Sequence, residues 1–183
     1  PICPPAPASE QAVTAAAPAD AERGASETLV PALITGQIAG LVMAAVVMLV
    51  FVVFLGKGPL YPVQVIGSLL FGDAALHGTN VAAIVAGLLL HQGGPTIFWS
   101  LVFGLAVHAW RIESVPRLVA LGAVVGLASQ AVDVNLVLPP VMRALHGRDI
   151  WAAEVPAFWS WAAHLVFGLA LGLVFTSVRR RRA

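Results

Sequence analysis

Charge and cysteine are both scarce in this chain, and so are recognisable catalytic motifs. Charged side chains make up 10% of its 183 residues, with ten Lys and Arg against nine Asp and Glu. That is too little polar surface to coat a water-soluble globule of this size. The one cysteine, Cys3, excludes an intramolecular disulfide framework and any cysteine-based metal cluster. Set in a Pro- and Ala-rich stretch, it reads as a spare thiol. The sequence has no P-loop, no Gly-rich dinucleotide fingerprint and no nucleophile elbow, so nucleotide-dependent and hydrolytic chemistry lack support and a non-enzymatic role is expected. Neither His-x-x-x-His nor Glu-x-x-His occurs, so no metal site is expected. Cations gather only at Arg179, Arg180, Arg181 and Arg182, which marks orientation and attraction to anionic lipid headgroups, with no nucleic-acid partner.

Apolar residues fill the place of what is missing. Hydrophobic side chains make up 59% of the chain and its mean hydropathy is +0.90, which points to an all-α integral membrane protein. The first 28 residues are rich in Pro, Ala, Ser, Thr and Glu without apolar periodicity, and read as a disordered-prone tail. They lack the cationic start and apolar core of a signal peptide.

Four transmembrane helices are expected in residues 29–183. Span one covers about 31–55. Span two covers 81–110, kinked near residue 95 by Gly93-Gly94-Pro95. Span three covers 118–138 and is expected to stop at Pro139-Pro140, and span four covers 156–178. Between spans one and two, Val63 to Phe71 is too short to cross and reads as an interfacial or re-entrant helix. The residues between Val141 and Val155 read as a loop.

If both termini are cytoplasmic, Arg23, Arg111, Arg117 and the four terminal arginines lie inside and Lys57, Arg143 and Arg148 outside. Seven cations against three favour that topology in a bacterial cytoplasmic membrane. Trp151, Trp159 and Trp161 then occupy the outer interface and Trp110 the inner one.

Small residues four apart recur on every span: Gly36 with Gly40, Ser100 with Gly104, Gly122 with Gly126, and Gly168 with Gly172. In lipid this spacing lets helix backbones approach closely. The phrase Leu101-Val102-Phe103-Gly104-Leu105-Ala106 recurs letter for letter as Leu165-Val166-Phe167-Gly168-Leu169-Ala170. Span one is followed by Pro62-Val63 and span three by Pro140-Val141, so the chain reads as two related helix pairs in parallel orientation.

Ionisable groups at membrane depth are the functional candidates, because they are costly there unless they face protein or water. His91, Asp133 and His164 qualify, with Gln130 and Asn135 nearby, and His108 lies less deep. At about 1.5 Å per residue, Asp133 and His164 lie about 24 and 22 Å from the inner cations, and His91 about 30 Å if its helix is continuous. Gln130, Asp133 and His164 form a candidate polar cluster that pins helices in register. His91 and His164 are also a candidate axial pair for haem b.

Three functions follow as expectations. The first is a non-catalytic accessory subunit packed against other subunits of a larger respiratory or energy-converting complex. The second is a haem-carrying electron-transport subunit, and the third is a small solute or ion transporter or channel. His77 and His146 read as surface residues.

Overall fold

The computed structural model describes residues 18–180, with side chains from 25 to 179. Cys3 and the first 17 residues of the tail lie outside the described residues, as do Arg181 and Arg182. The described chain is helical with no strand. Its elements are α1 (Pro18–Leu55), α2 (Tyr61–Phe71), a 3-10 turn (Gly72–Leu76), α3 (Val81–Gly93) and α4 (Pro95–Ala109). They continue with α5 (Val115–Ser129), a π-helical segment (Gln130–Val137), α6 (Leu138–His146), α7 (Ile150–Glu154) and α8 (Ala157–Arg180).

Among the described residues, four helical stretches are long and apolar enough to cross a bilayer: Ala25–Leu55, Val81–Ala109, Val115–His146 and Ala157–Arg179. Only 17–33% of the most apolar window in each is buried inside the protein. The outward faces, among them Leu41, Leu49, Val53, Leu89, Leu105, Val124 and Leu173, therefore require an apolar solvent. The chain is a multi-pass helical membrane protein.

Three boundaries differ from the sequence reading. The first helix starts at Pro18, inside the segment read as tail. Ala19, Ala21 and Glu22 are strong helix formers, and they propagate a helix already nucleated by the span. Pro31 sits buried within that helix.

Span three does not stop at the prolines: it runs unbroken to His146. The π segment widens the turn just before Pro139 and Pro140, which occupy the first turn of α6. An absent N–H costs least at that position. The third difference follows from the second, since the expected loop between Val141 and Val155 is largely α6 and α7. The second span matches its expectation. It breaks at Gly94, where the Gly94 N–H closes α3 on the Leu90 carbonyl and the Gly94 carbonyl opens α4 by accepting from Phe98.

Small residues set the packing. A Cβ added to Gly36 would meet the Ser100 side chain, and one on Gly40 would meet Gln92 and Thr96. One on Gly104 would meet Ala32, so α1 and α4 cross closely. In the other half, Gly122 and Gly126 lie against the backbone at Gly168 and His164, and Gly172 lies against Leu118. The two crossings share one register: Ala32 faces Gly104 and Gly36 faces Ser100, as Gly122 faces Gly168 and Gly126 faces His164.

The repeated hexapeptide takes equivalent places in both halves. Phe103 and Phe167 are buried in the central core, and Gly104 and Gly168 lie on the helix contact. Phe103 stacks edge-on against Phe175 of α8 with ring centroids 5.4 Å apart, and α1 packs along α8 to join the pairs.

The short elements form a separate layer. Gly67 of α2 lies against the Ala83 backbone and Gly87 of α3 against Val63, making a tight α2–α3 hairpin. Three polar contacts fasten it to the α6–α7 segment. The Tyr61 hydroxyl donates to Glu154 at 2.6 Å, Arg148 pairs with Asp73 at 2.5 Å, and His146 Nε2 donates to the Leu69 carbonyl at 3.0 Å.

Candidate functional site

The hairpin stands off from α1 and α8 and leaves a cavity of about 280 Å³ between them. Its walls are mostly apolar, including Met43, Val47, Phe51, Ile66, Leu88 and Met142. Into this lining come His91 from the end of α3, Thr96 and Trp99 from the first turns of α4, and Ser129 from α5. Asp133 comes from the π segment, Trp151 from α7, and Ser160 and His164 from α8.

Two breaks in helical regularity deliver the polar groups. The Gly93-Gly94-Pro95 interruption ends α3 at the cavity wall and starts α4 there. The π segment re-aims Asp133, as π turns within α-helices often do at functional sites. Trp99 Nε1 donates to Asp133 Oδ2 at 2.6 Å, tying the two irregular helices together.

Hydrogen-bond bookkeeping fixes both histidine tautomers. His164 Nδ1 lies 2.9 Å from the Ser160 carbonyl, which only accepts, so Nδ1 carries the proton. Gln92 Nε2 donates to the Gln37 carbonyl at 3.2 Å, so Gln92 Oε1 is an acceptor. His91 Nδ1, 3.0 Å from that oxygen, is then a donor. As neutral imidazoles, both rings keep an unprotonated Nε2 whose lone pair is free. Gln37 Nε2 completes a reciprocal pair by donating to the Gln92 carbonyl, which locks α1 to the end of α3.

The expected polar cluster is divided. Asp133 and His164 line the cavity with His91, whereas Gln130 is 1% exposed and lies in the α5–α8 interface. There its Oε1 accepts from the Ser160 hydroxyl at 2.7 Å and its Nε2 donates to Asn135 Oδ1 at 3.4 Å. The spacing placed Gln130 and Asp133 on one face because α-helical periodicity was assumed, and the wider π turn separates them. The Gln130–Ser160 hydrogen bond joins the start of the π segment to α8.

Thr96, Trp99, Ser129 and Ser160 were not singled out from the sequence. Their one legible signal is position, at or beside the small-residue stripes. Trp151 lies in the cavity lining and not only at an interface.

Among the described residues, no three of His, Cys, Asp and Glu are grouped to hold a metal ion. His91 and His164 suit a haem iron in ligand chemistry, but the cavity around them is small and its lining, among the described residues, carries no cation for a propionate. The cavity falls just under the ~300–1,000 Å³ that drug-sized ligands occupy.

A second, more open depression lies at the other end of the bundle. Thr28, His108, Arg111, Glu113 and Arg179 surround it, and Arg179 donates to the Ile112 carbonyl at 3.4 Å. The start of span one, the turn between spans two and three, and the end of span four therefore share one end of the molecule. No family model, curated protein or solved structure matches this chain.

Proposed function

We propose that this protein is a small-solute carrier of a bacterial cytoplasmic membrane, with the Arg111, Arg117 and Arg179 end facing the cytoplasm and the α2–α3 hairpin facing outward. The supporting observation is the cavity itself, where two irregular spans bring His91 and Asp133 to one space with His164 of α8. Broken helices around an intramembrane chamber suit a carrier, since irregular backbone at membrane depth is tolerated where it lines a cavity. Two parallel helix pairs with one crossing register suit it too, because carriers are often built from repeats that rock against each other. Cation counting supports the orientation.

An accessory subunit of a larger energy-converting complex is the competing reading. It draws on the absence of enzyme motifs and of a polar stripe along the spans, while the small-residue faces are occupied within the chain by α1–α4 and α5–α8 contacts.

The test uses a single cysteine at the cavity wall. In a Cys3→Ser background, Val134→Cys is expected to react with a small membrane-impermeant thiol reagent applied to inside-out vesicles and, separately, to right-side-out vesicles. Reaction from neither side overturns the carrier reading.

A further inference from the structure

We infer that the cavity takes a small lipophilic ammonium cation, an inference that rests on the carrier reading for the ligand's fate but on the cavity's own bonding for its chemistry. Four of the side chains that line the cavity and bear a polar hydrogen spend it within the protein. The Thr96 hydroxyl donates to the His91 carbonyl at 2.7 Å and the Ser129 hydroxyl to the Gly126 carbonyl at 2.7 Å. The Ser160 hydroxyl donates to Gln130 Oε1 at 2.7 Å and Trp99 Nε1 to Asp133 Oδ2 at 2.6 Å. Both histidines use their Nδ1 protons locally.

What stays open is an acceptor set: Asp133 Oδ1, His91 Nε2 and His164 Nε2. The Trp151 indole N–H has no acceptor either, but it is sealed from the cavity space and offers a ligand nothing. A ligand matched to this set donates hydrogen bonds.

Charge points the same way. Asp133 is the only acid in the lining, and no Arg or Lys joins it among the described residues. A carboxylate at membrane depth is costly unless a partner neutralises it, and here the partner has to be a ligand or a proton. An anion meets no Arg or Lys there and faces the Asp133 carboxylate, so it is disfavoured. Phe51, Trp99, Trp151 and Phe167 add aromatic rings to the wall, and aromatic faces attract cations. The mostly apolar walls and the volume of about 280 Å³ limit the occupant to a short apolar body carrying one ammonium head.

The experiment uses three near-isosteric probes: phenethylamine, phenethyl alcohol and phenylacetate. Each is titrated at neutral pH into the full chain in lipid nanodiscs, read by the change in intrinsic tryptophan fluorescence, to which Trp99 and Trp151 of the cavity wall contribute. Phenethylamine is expected to bind saturably and at least tenfold more tightly than the alcohol, with no saturable signal from phenylacetate. Asp133→Asn is expected to lose about 100-fold in affinity for the amine, about 2.8 kcal/mol at 1.4 kcal/mol per decade. Glu113→Gln, at the opposite end of the bundle, leaves it unchanged.

Equal binding of amine and alcohol, tighter binding of phenylacetate, or no amine binding overturns the proposal. The comparison of probes needs no variant, so it decides even if Asp133→Asn does not fold. Binding is read at equilibrium, so failure here removes the ligand class and leaves the carrier reading to the cysteine reaction.

Discussion

Replacing Gly168 by alanine sets one methyl group against the backbone of the facing helix. The added Cβ overlaps the Gly122 carbonyl oxygen and lies 2.8 Å from the Gly122 carbonyl carbon and 3.1 Å from Ala123 Cα. Carbon atoms at rest sit about 3.5–4.0 Å apart, so α5 and α8 must separate by roughly 1 Å. The obstruction is main chain, so no rotamer change relieves it. Overpacking of this kind costs about 1–3 kcal/mol. Separation also loosens the neighbouring contacts of Gly126 and Gly172, which places the cost toward the upper end of that range. The Gly-to-Ala gain in helix propensity returns about 1 kcal/mol, leaving a net loss of about 1–2 kcal/mol.

Gly93→Ala is the matched control. A Cβ there meets nothing within 4 Å, so that variant is expected to be neutral or slightly more stable. Reversible unfolding in mixed SDS micelles, followed by far-UV circular dichroism, measures both. Equal stability of Gly168→Ala and Gly93→Ala would refute the close crossing of α5 and α8.

Three further outcomes are expected. Gly36→Ala sets its Cβ against the Ser100 side chain, so it should cost about 1–2 kcal/mol and Ser100→Gly should recover most of that, a coupling of about 1 kcal/mol in a double-mutant cycle. Ser160→Ala leaves the buried Gln130 Oε1 without its partner, and should lower stability by about 1 kcal/mol in the same unfolding assay. Burial first, then the hydrogen bond and charge of Glu154, push the Tyr61 phenol up to about 12 from 10.0. The folded value lies above the unfolded one, so the stabilisation is full below pH 10.0 and is lost as pH rises toward about 12. Tyr61→Phe should cost about 1 kcal/mol at neutral pH, and the gap to wild type should close across that alkaline window in pH-resolved unfolding.

The spans, the break at Gly94 and the small-residue pairs were legible in the sequence because each follows from one residue's chemistry in lipid. Twenty apolar residues must cross, Pro95 cannot donate, and glycine admits a neighbouring backbone. The repeated Leu-Val-Phe-Gly-Leu-Ala pointed to related halves, and the shared crossing register gives that repeat a physical meaning. His91 and His164 were legible as a pair for the same reason, since an ionisable group is rarely left facing lipid.

The π segment was not legible. Nothing in Gln130 to Val137 distinguishes a wide turn from an ordinary one, so α-helical spacing joins Gln130 to Asp133, and Pro139-Pro140 reads as the end of the span because prolines cannot donate to the ladder. The cavity was hidden too, because it depends on how far the α2–α3 hairpin stands from α1 and α8. The placement of the hairpin rests on contacts distant in sequence, among them Tyr61 with Glu154 and Asp73 with Arg148. The acceptor character of the cavity emerges only when each hydroxyl proton is traced to its partner.

The most direct measurement is the current that phenethylamine evokes when applied to proteoliposomes adsorbed on a solid-supported membrane. Wild-type protein is expected to give a saturable current above that of protein-free liposomes, with Asp133→Asn reduced to the protein-free level and Glu113→Gln equal to wild type. A wild-type signal no larger than that of empty liposomes would contradict carriage of a small cation through this cavity.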